Sequence, residues 1–294
     1  MLDPILAHVP REVRDSDAAV DRLRIELAEF LRSRRAELTP QTVGLPETRR
    51  RRTPGLRREE VAELAGISTA LYAWLEQARP VPVSRHALDA IATALRLSPD
   101  ERLHLQNLGH PESPEIEESV SPALQRLVFS LPEHAAYVLD HGWDIVLENY
   151  AARAVFGDSS KEGDERNLLK RVLIDDRTRS LLVDWEEASV GLIERFQFDF
   201  GAHAAEPRMI ALAEELRANP MFDRVWSTHR VRRFTTKVMR IAHETAGPLA
   251  FESTTYRVAE SPGLRLLVFT PCDDETARRV RELRCEPQLA DRAS

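Results

Sequence analysis

The chain has 294 residues, of which 43% are hydrophobic and 30% charged, and its formal net charge is −7 at pH 7. This composition is that of a globular protein with enough apolar residues for a core, and the length allows two domains of ordinary size. The sequence has no apolar run long enough to span a membrane, and its start lacks the basic and apolar regions of a secretory signal. We therefore expect a cytoplasmic protein without a membrane partner. Its only cysteines, Cys272 and Cys285, suit a reducing compartment and form no CxxC metal-binding pair.

The charge is distributed unevenly along the chain. Between Arg22 and Arg58, eleven arginines stand against four acidic residues, so this segment carries +7 and leaves −14 for the rest. A local basic patch can hold DNA phosphates, while the acidic remainder discourages indiscriminate binding to nucleic acid. This distribution is typical of a sequence-selective DNA-binding protein.

The N-terminal half is predicted to be all-α. Residues 1–20 show no hydrophobic periodicity, and we expect a mobile extension there. Five helices follow within residues 21–108, beginning with an amphipathic helix at 21–37. The apolar stripe of that helix consists of Leu23, Leu27, Phe30 and Leu31.

A long loop at 38–56 carries a cluster of positive charge. The cluster consists of Arg49, Arg50, Arg51 and Arg52. We interpret it as an arm that binds DNA phosphates, because basic clusters beside a DNA-binding helix commonly contact the backbone. A solvated charged loop is the alternative.

The segment 57–77 predicts two short helices joined at Gly66, with Val61, Leu64 and Ala65 on one face of the first. Gly66 supplies a left-handed turn, and the Ser68 hydroxyl caps the second helix. Tyr72 and Leu75 would lock the pair together, which leaves small side chains on the outer face for a DNA major groove. An ordinary αα-hairpin is the alternative. The candidate DNA-binding residues here are Arg57, Arg58, Ser68, Thr69, Ala70 and Ala73.

Residues 57–97 resemble the Cro/C1-type (Xre) helix-turn-helix family. The resemblance rests on Arg-Thr-Pro-Gly-Leu-Arg-Arg-Glu-Glu-Val at 52–61 and Trp-Leu-Glu-Gln at 74–77, which mark one subgroup. It implies that the start of the first helix and the first turns of the second touch double-stranded operator DNA. Three positions depart from the family: Arg57 replaces a capping Ser or Thr, Ala78 replaces a Gly, and Ala70-Leu71 replaces a Thr-Trp pair.

The C-terminal half changes period after a linker rich in Pro, Ser and Glu at 109–122. Residues 123–271 predict an α+β domain in which two strands, a long helical insertion and three further strands follow one another. This is the element order of a PAS-like domain, with an antiparallel five-stranded sheet and helices over one face. The remainder, 272–294, is predicted to be a short helix and a frayed tail. The predicted strands lie at 135–139, 143–149, 234–243, 249–258 and 264–270.

This half resembles the ligand-binding domain of MmyB-like regulators. The resemblance is carried by Tyr-Val-Leu-Asp at 137–140, Glu-Arg-Asn-Leu-Leu at 165–169, Trp-Ser-Thr-His at 226–229 and Leu-Val-Phe-Thr-Pro at 267–271. It implies a pocket for a long apolar ligand, with fatty acids the leading class. A carboxylate head group would favour an arginine or a protonated imidazole, such as those at 229–233. The candidate ligand-binding residues are Asn149, Phe156, Phe196, Phe200, Trp226, His229, Arg233 and Met239.

These features together predict a one-component transcription regulator that binds DNA and senses a small apolar ligand, and a homodimer would match two operator half-sites. The sequence shows no catalytic motif and no metal-ligand spacing among its histidines, and we expect neither a metal nor a cofactor beyond a bound fatty acid. Two alternatives remain. The C-terminal half could be a ligand-free dimerisation or protein-interaction module, or it could be a lipid-modifying enzyme tethered to DNA.

Overall fold

The computed structural model describes residues 11–45, 55–110, 119–159, 166–203, 206–232 and 236–290. The chain forms two compact units. Unit 1 consists of Met1–Pro114, Glu194–Glu215 and Arg224–Arg233, and unit 2 of Glu115–Ile193, Leu216–Asp223 and Phe234–Ser294. No helix within the described residues is long and apolar enough to cross a membrane.

The N-terminal part of unit 1 is helical, as predicted. Its helices are α1 (Arg11–Glu37), α2 (Arg58–Ala65), α3 (Thr69–Glu76), α4 (Arg85–Ala94) and α5 (Pro99–Gly109), with a short 3₁₀ turn at Gln41–Val43. The expected start of the first helix was wrong, because α1 begins at Arg11 and includes residues 11–20. Five of its ten residues are Arg, Glu or Ala, which favour a helix without producing an apolar stripe.

The predicted apolar stripe of α1 forms the centre of this helical core. Leu23, Leu27, Phe30 and Leu31 are all buried. One neighbouring prediction was wrong: Leu64 of α2 is 38% exposed. Val61 is buried as predicted, and Ala62 rather than Leu64 is the other residue of α2 that is buried in the core.

The rest of the chain contains the sheet and the helices around it. The helices are α6 (Pro122–Phe129), α7 (Tyr150–Phe156), α8 (Leu168–Ile174), α9 (Asp176–Leu181), α10 (Trp185–His203), α11 (Pro207–Leu216), α12 (Pro220–Trp226) and α13 (Asp274–Ala290). The strands are β1 (Ala135–Leu139), β2 (Ile145–Glu148), β3 (Lys237–His243), β4 (Gly247–Arg257) and β5 (Arg265–Pro271).

The five strands form one antiparallel sheet in the order β2-β1-β5-β4-β3. The predicted succession of two strands, a long helical insertion and three strands is confirmed. The second strand is shorter than expected, since it begins at Ile145 and Trp143 before it has a positive φ of 66°. A residue in this left-handed region cannot continue a strand.

The two faces of the sheet are buried by different groups. On one face, Val138 and Val268 pack against Leu124 and Val128 of α6. The opposite face carries aromatic side chains from three strands and from α7. They are Tyr137, Phe251, Phe269 and Phe156, whose neighbouring ring centroids lie between 4.9 and 6.4 Å apart.

The C-terminal segment is more ordered than the predicted short helix and tail. Helix α13 runs for 17 residues, from Asp274 to Ala290. Its Val280 is fully buried, and the Thr276 hydroxyl accepts a hydrogen bond from the Ala250 N–H at 3.3 Å. Contacts with β4 therefore stabilise this helix. Its apolar residues are too few to form a stripe that would predict it from the sequence.

Candidate DNA interface and ligand site

Helices α2 and α3 form the predicted helix-turn-helix pair. Gly66 lies between them at φ 63° and ψ 31°, and its N–H donates to the carbonyls of Ala62 and Glu63. Because glycine adopts this left-handed conformation without steric cost, it ends α2 cleanly. The Ser68 hydroxyl caps α3 by accepting from the Leu71 N–H at 3.1 Å. The turn and cap that the sequence predicts are confirmed.

The outer surface of α3 carries the small side chains assigned to DNA reading. Thr69 and Ala70 are exposed and Ala73 is half-buried, whereas Tyr72 on the inner side is fully buried. A helix with small outer side chains can enter the major groove closely. Trp74, which is 41% exposed, flanks this surface. We call α3 the reader helix from here on.

The two arginines at the start of α2 have different surroundings. Arg57 is exposed at the N-cap position, and its backbone N–H donates to Glu60 Oε2 at 2.7 Å. Glu60 thus makes one half of a capping box, and an arginine side chain has no acceptor for the other half. The Arg58 side chain is 43% exposed, and its Nε donates to Glu76 Oε2 at 2.5 Å. One edge of this guanidinium is therefore engaged within the unit.

Glu76 is a residue whose importance the sequence reasoning missed. It ends the reader helix, and its side chain is fully buried. Oε1 accepts from Arg35 Nε of α1 at 2.6 Å, and Oε2 accepts from Arg58 of α2. Burial, and next the charge of Glu76, raise the pKa of the adjacent Tyr72 phenol. One carboxylate thereby joins three helices. Its signals in the sequence are its place in the Trp-Leu-Glu-Gln motif at 74–77 and its being the single acid of α3.

The residue after the reader helix adopts a conformation that favours glycine. Ala78 has φ 55°. Its N–H donates to Leu75 O at 3.1 Å, and the Arg79 N–H donates to Trp74 O at 3.0 Å. This pair of bonds is the Schellman arrangement, which usually places glycine at the position of Ala78. The departure noted in the sequence therefore falls on a strained residue.

Two sets of predicted residues lie outside the residues that the structure describes. The first is the proposed phosphate-binding arm at 49–52, and the second is Arg233. The positions of these arginines stay predictions.

Three of the candidate ligand-binding residues belong to unit 2. Phe156 and Met239 are both on the aromatic face of the sheet, since Met239 pairs with Phe251 across β3 and β4. Asn149 caps α7 and is 2% exposed. Its Oδ1 accepts from Ala152 N and Ala136 N, and its Nδ2 lies within 3.2 Å of three backbone carbonyls. Internal hydrogen bonds therefore use the whole Asn149 amide.

The other described candidates belong to unit 1. Phe196, Phe200 and Trp226 form one aromatic cluster with centroid distances of 5.2 to 6.1 Å, and each is at most 2% exposed. The proposed ligand-binding residues thus fall into two clusters, one in each unit. Sequence order concealed this division because helix α10 begins in unit 2 and ends in unit 1.

His229 lies beside two carboxylates. One ligand atom from each of Glu26, Glu29 and His229 lies within 4.8 Å of the others, and His229 Nε2 is 3.8 Å from Glu29 Oε2. The Gln197 amide nitrogen donates to Trp226 O at 3.0 Å and lies 3.4 Å from His229 Nδ1. Nδ1 therefore faces a donor and accepts, which places the imidazole proton on Nε2. In this tautomer the Nε2–H faces the Glu29 carboxylate, and two carboxylates beside the ring do not favour an anionic ligand.

Unit 2 contains two buried polar groups that the sequence reasoning did not select. Arg171 of α8 is 7% exposed, and its Nη2 donates to the carbonyls of Phe156 and Gly157. Its Nη1 is buried and has no hydrogen-bond partner among the described residues. The Tyr137 hydroxyl, on a side chain that is 2% exposed, likewise has none there. The signal in the sequence is that Arg171 follows Leu168 by three residues, which places a cation on an apolar helix face.

Comparisons with known families agree with this geometry. Residues 26–105 match a family described as a helix-turn-helix domain, and residues 120–283 match the MmyB-like transcription regulator ligand binding domain. These matches and the exposed reader helix define a DNA-binding transcription regulator with a ligand-binding domain. The second match covers more than half of the chain, and the chain belongs to the MmyB-like transcription regulators. A comparison with curated proteins gives no match.

Proposed function

We propose that the protein is a cytoplasmic one-component regulator of the Cro/C1-type (Xre) class, whose PAS-like C-terminal domain senses a fatty acid. The observation that carries the DNA-binding part is the reader helix. It presents Thr69, Ala70 and Ala73 outward while the buried Glu76 carboxylate ties its end to α1 and α2. A rigidly held helix with a small-residue surface suits insertion into a DNA major groove. A homodimer would place two such helices on the two half-sites of one operator.

The fatty-acid part is supported by the aromatic face of the sheet in unit 2. Phe156, Phe251 and Phe269 lie there with Tyr137, and Met239 adds a flexible apolar side chain on the same face. An acyl chain requires an apolar environment of this kind, because its burial contributes roughly 0.8 kcal/mol for each CH₂ group.

Within unit 1, helix α1 links a segment of the ligand-binding match to the reader helix. Arg34 Nη2 donates to Thr228 O at 2.7 Å, and Thr228 belongs to the part of the ligand-binding match that packs within unit 1. The next residue, Arg35, binds Glu76 at the end of the reader helix. A ligand that prefers one arrangement of Thr228 and α1 would shift DNA affinity by the same free energy, as linkage requires.

Two measurements test this function together. Operator sequences are selected from random duplex DNA with the full chain, and native and denaturing mass spectra of the purified protein are compared. We expect a selected sequence whose affinity changes when a fatty acid is added, and a native mass that exceeds the denatured mass by an extractable acyl compound. Failure to select any DNA sequence would overturn the proposed DNA-binding function, and failure of added fatty acids to bind would overturn the proposed sensing function.

A ligand-free interaction module is the second candidate, and one observation favours it. The aromatic side chains of both clusters, those around Phe196 in unit 1 and those around Phe156 in unit 2, are at most 9% exposed, as in an ordinary filled core. Under this function, native and denatured masses would agree and DNA affinity would not respond to fatty acids.

A further inference from the structure

We infer that Arg171 and Tyr137 form the site that binds the carboxylate of a long-chain acid on the aromatic face of unit 2. This inference rests on the proposed fatty-acid function and names the residues that would recognise the head group.

The first argument is the unbalanced charge of Arg171. A guanidinium that is 7% exposed has lost most of its hydration, and its Nη2 bonds only to the carbonyls of Phe156 and Gly157. Its Nη1 has no hydrogen-bond partner, and no carboxylate within the described part of the chain forms an ion pair with it. Buried cations are costly unless they are paired, so this guanidinium is suited to an anionic ligand.

The nearby carboxylates already have partners of their own. Glu148 accepts from Arg153 Nε at 2.9 Å and from the Ser159 hydroxyl at 2.6 Å. Asp175 caps α9 and accepts from the hydroxyl and the N–H of Thr178. Despite partial burial, the pKa of the Asp175 carboxyl is lowered by the Thr178 hydrogen bonds and also by the charge of Arg171, but neither carboxylate forms a direct ion pair with Arg171.

The second argument is the orphaned hydroxyl of Tyr137. Its ring packs on Phe156 at 5.7 Å and Phe269 at 6.0 Å, and its O–H has no partner among the described residues. Burial raises the pKa of this phenol, while the Arg171 cation acts in the opposite direction. The two groups therefore lie within electrostatic reach, and at neutral pH one offers an O–H and the other a charged N–H. A carboxylate, with two acceptor oxygens, can take both.

The third argument is the surroundings. Phe156 connects the two groups, because its ring touches Tyr137 and its carbonyl accepts from Arg171. The rings of Phe251 and Phe269 continue the apolar surface away from Tyr137. A polar head and an adjoining apolar tract match an amphiphilic acid better than a fully apolar molecule.

The test compares an acid with its neutral analogue. Delipidated full-length protein is titrated calorimetrically with sodium dodecanoate and with 1-dodecanol. We expect the wild type to prefer the acid by at least about tenfold. Arg171→Met should weaken acid binding by about 10- to 100-fold and remove the preference, and Tyr137→Phe should weaken it by about 5- to 10-fold. Arg126→Gln, at an exposed arginine of α6 on the opposite face of the sheet, is the control and should bind as the wild type does.

Tyr137→Phe also separates recognition from structure. Its hydroxyl has no partner to lose, so the ligand-free variant should unfold at the same or a higher temperature than the wild type. This variant keeps the test decisive if Arg171→Met does not fold. Wild-type affinity for dodecanoate in folded Tyr137→Phe and Arg171→Met would overturn the site and leave the sensor intact. Binding of neither probe by the wild type would overturn the fatty-acid function itself.

Discussion

His104 is a buried histidine whose charge state affects the stability of unit 1. It is 3% exposed and lies between Phe30, at a centroid distance of 5.1 Å, and Phe198, at 6.5 Å. Burial lowers its pKa from 6.5 to about 3, although a hydrogen bond to the Phe198 backbone opposes this shift. The unfolded chain binds a proton near pH 6.5 and the folded chain does not. The contribution of the neutral His104 to stability is therefore fully present above pH 6.5, and it is lost progressively as the pH falls from 6.5 toward 3.

Lowering the pH from about 7 to about 5 should cost roughly 2 kcal/mol of unfolding free energy through this one residue. Urea unfolding of the wild type and of His104→Gln at both pH values measures the effect. Between pH 7 and pH 5 the unfolding free energy of the variant should fall by about 2 kcal/mol less than that of the wild type. His86→Gln, at an exposed position, should keep the wild-type dependence. Equal pH dependence in wild type and His104→Gln would show that His104 is not the group responsible.

Single residues were predictable where their role depends on sequence neighbours. The exposed positions of the reader helix and the Ser68 cap follow from spacing within one short segment. The partners of Glu76 and Arg171 do not, because Arg35 precedes Glu76 by 41 residues and Arg171 donates to a carbonyl 14 residues before it. Such contacts are created by tertiary packing, and sequence periodicity contains no information on them.

At the scale of elements, the end of the reader helix carries a local strain that can be relieved. An alanine at φ 55° is disfavoured by about 1–2 kcal/mol, while glycine adds unfolded-state entropy worth about 0.4–1 kcal/mol. Ala78→Gly should therefore raise the unfolding free energy by about 0.5–1 kcal/mol. Ala90→Gly, within α4, is the control and should lower it by about 1 kcal/mol. Equal losses in both variants would mean that the left-handed conformation of Ala78 is not costly.

Elements with strong periodicity were predicted well, and those without it were not. The amphipathic part of α1 has a clear 3.6-residue pattern, and β1 and β5 are short continuous apolar runs, which are typical of buried strands. Residues 11–20 have helix-forming residues but no apolar stripe, and α13 has Val280 and Leu283 as its buried hydrophobic residues in the described part of its side chains. Helices of this composition are stabilised by the helix propensity of their residues or by tertiary contacts. Hydrophobic periodicity reports neither of these.

At the scale of the molecule, unit 1 combines helix-turn-helix residues with two segments of the ligand-binding match. A methyl group placed at Gly201 of α10 would lie 2.5 Å from His104 Nδ1 of α5 and 2.8 Å from its Cε1. His104 packs edge-to-face on Phe30 of α1, the helix that holds the reader through Arg35 and Glu76. A larger side chain at Gly201 would therefore act on α1 without touching the predicted DNA-reading surface.

Gly201→Ala should lower the unfolding free energy by about 1–3 kcal/mol, because the packed His104 ring must move. It should also weaken binding to the selected operator by roughly 3- to 10-fold, the usual range of coupling between sites. Gly191→Ala is the matched control in the same helix, since a methyl group there has no atom within 4 Å and alanine favours a helix. It should be at least as stable as the wild type and bind the operator equally well. If hydrogen exchange shows that α5 is loosened in Gly201→Ala while its operator affinity equals that of Gly191→Ala, then α1 does not carry the signal to the reader helix.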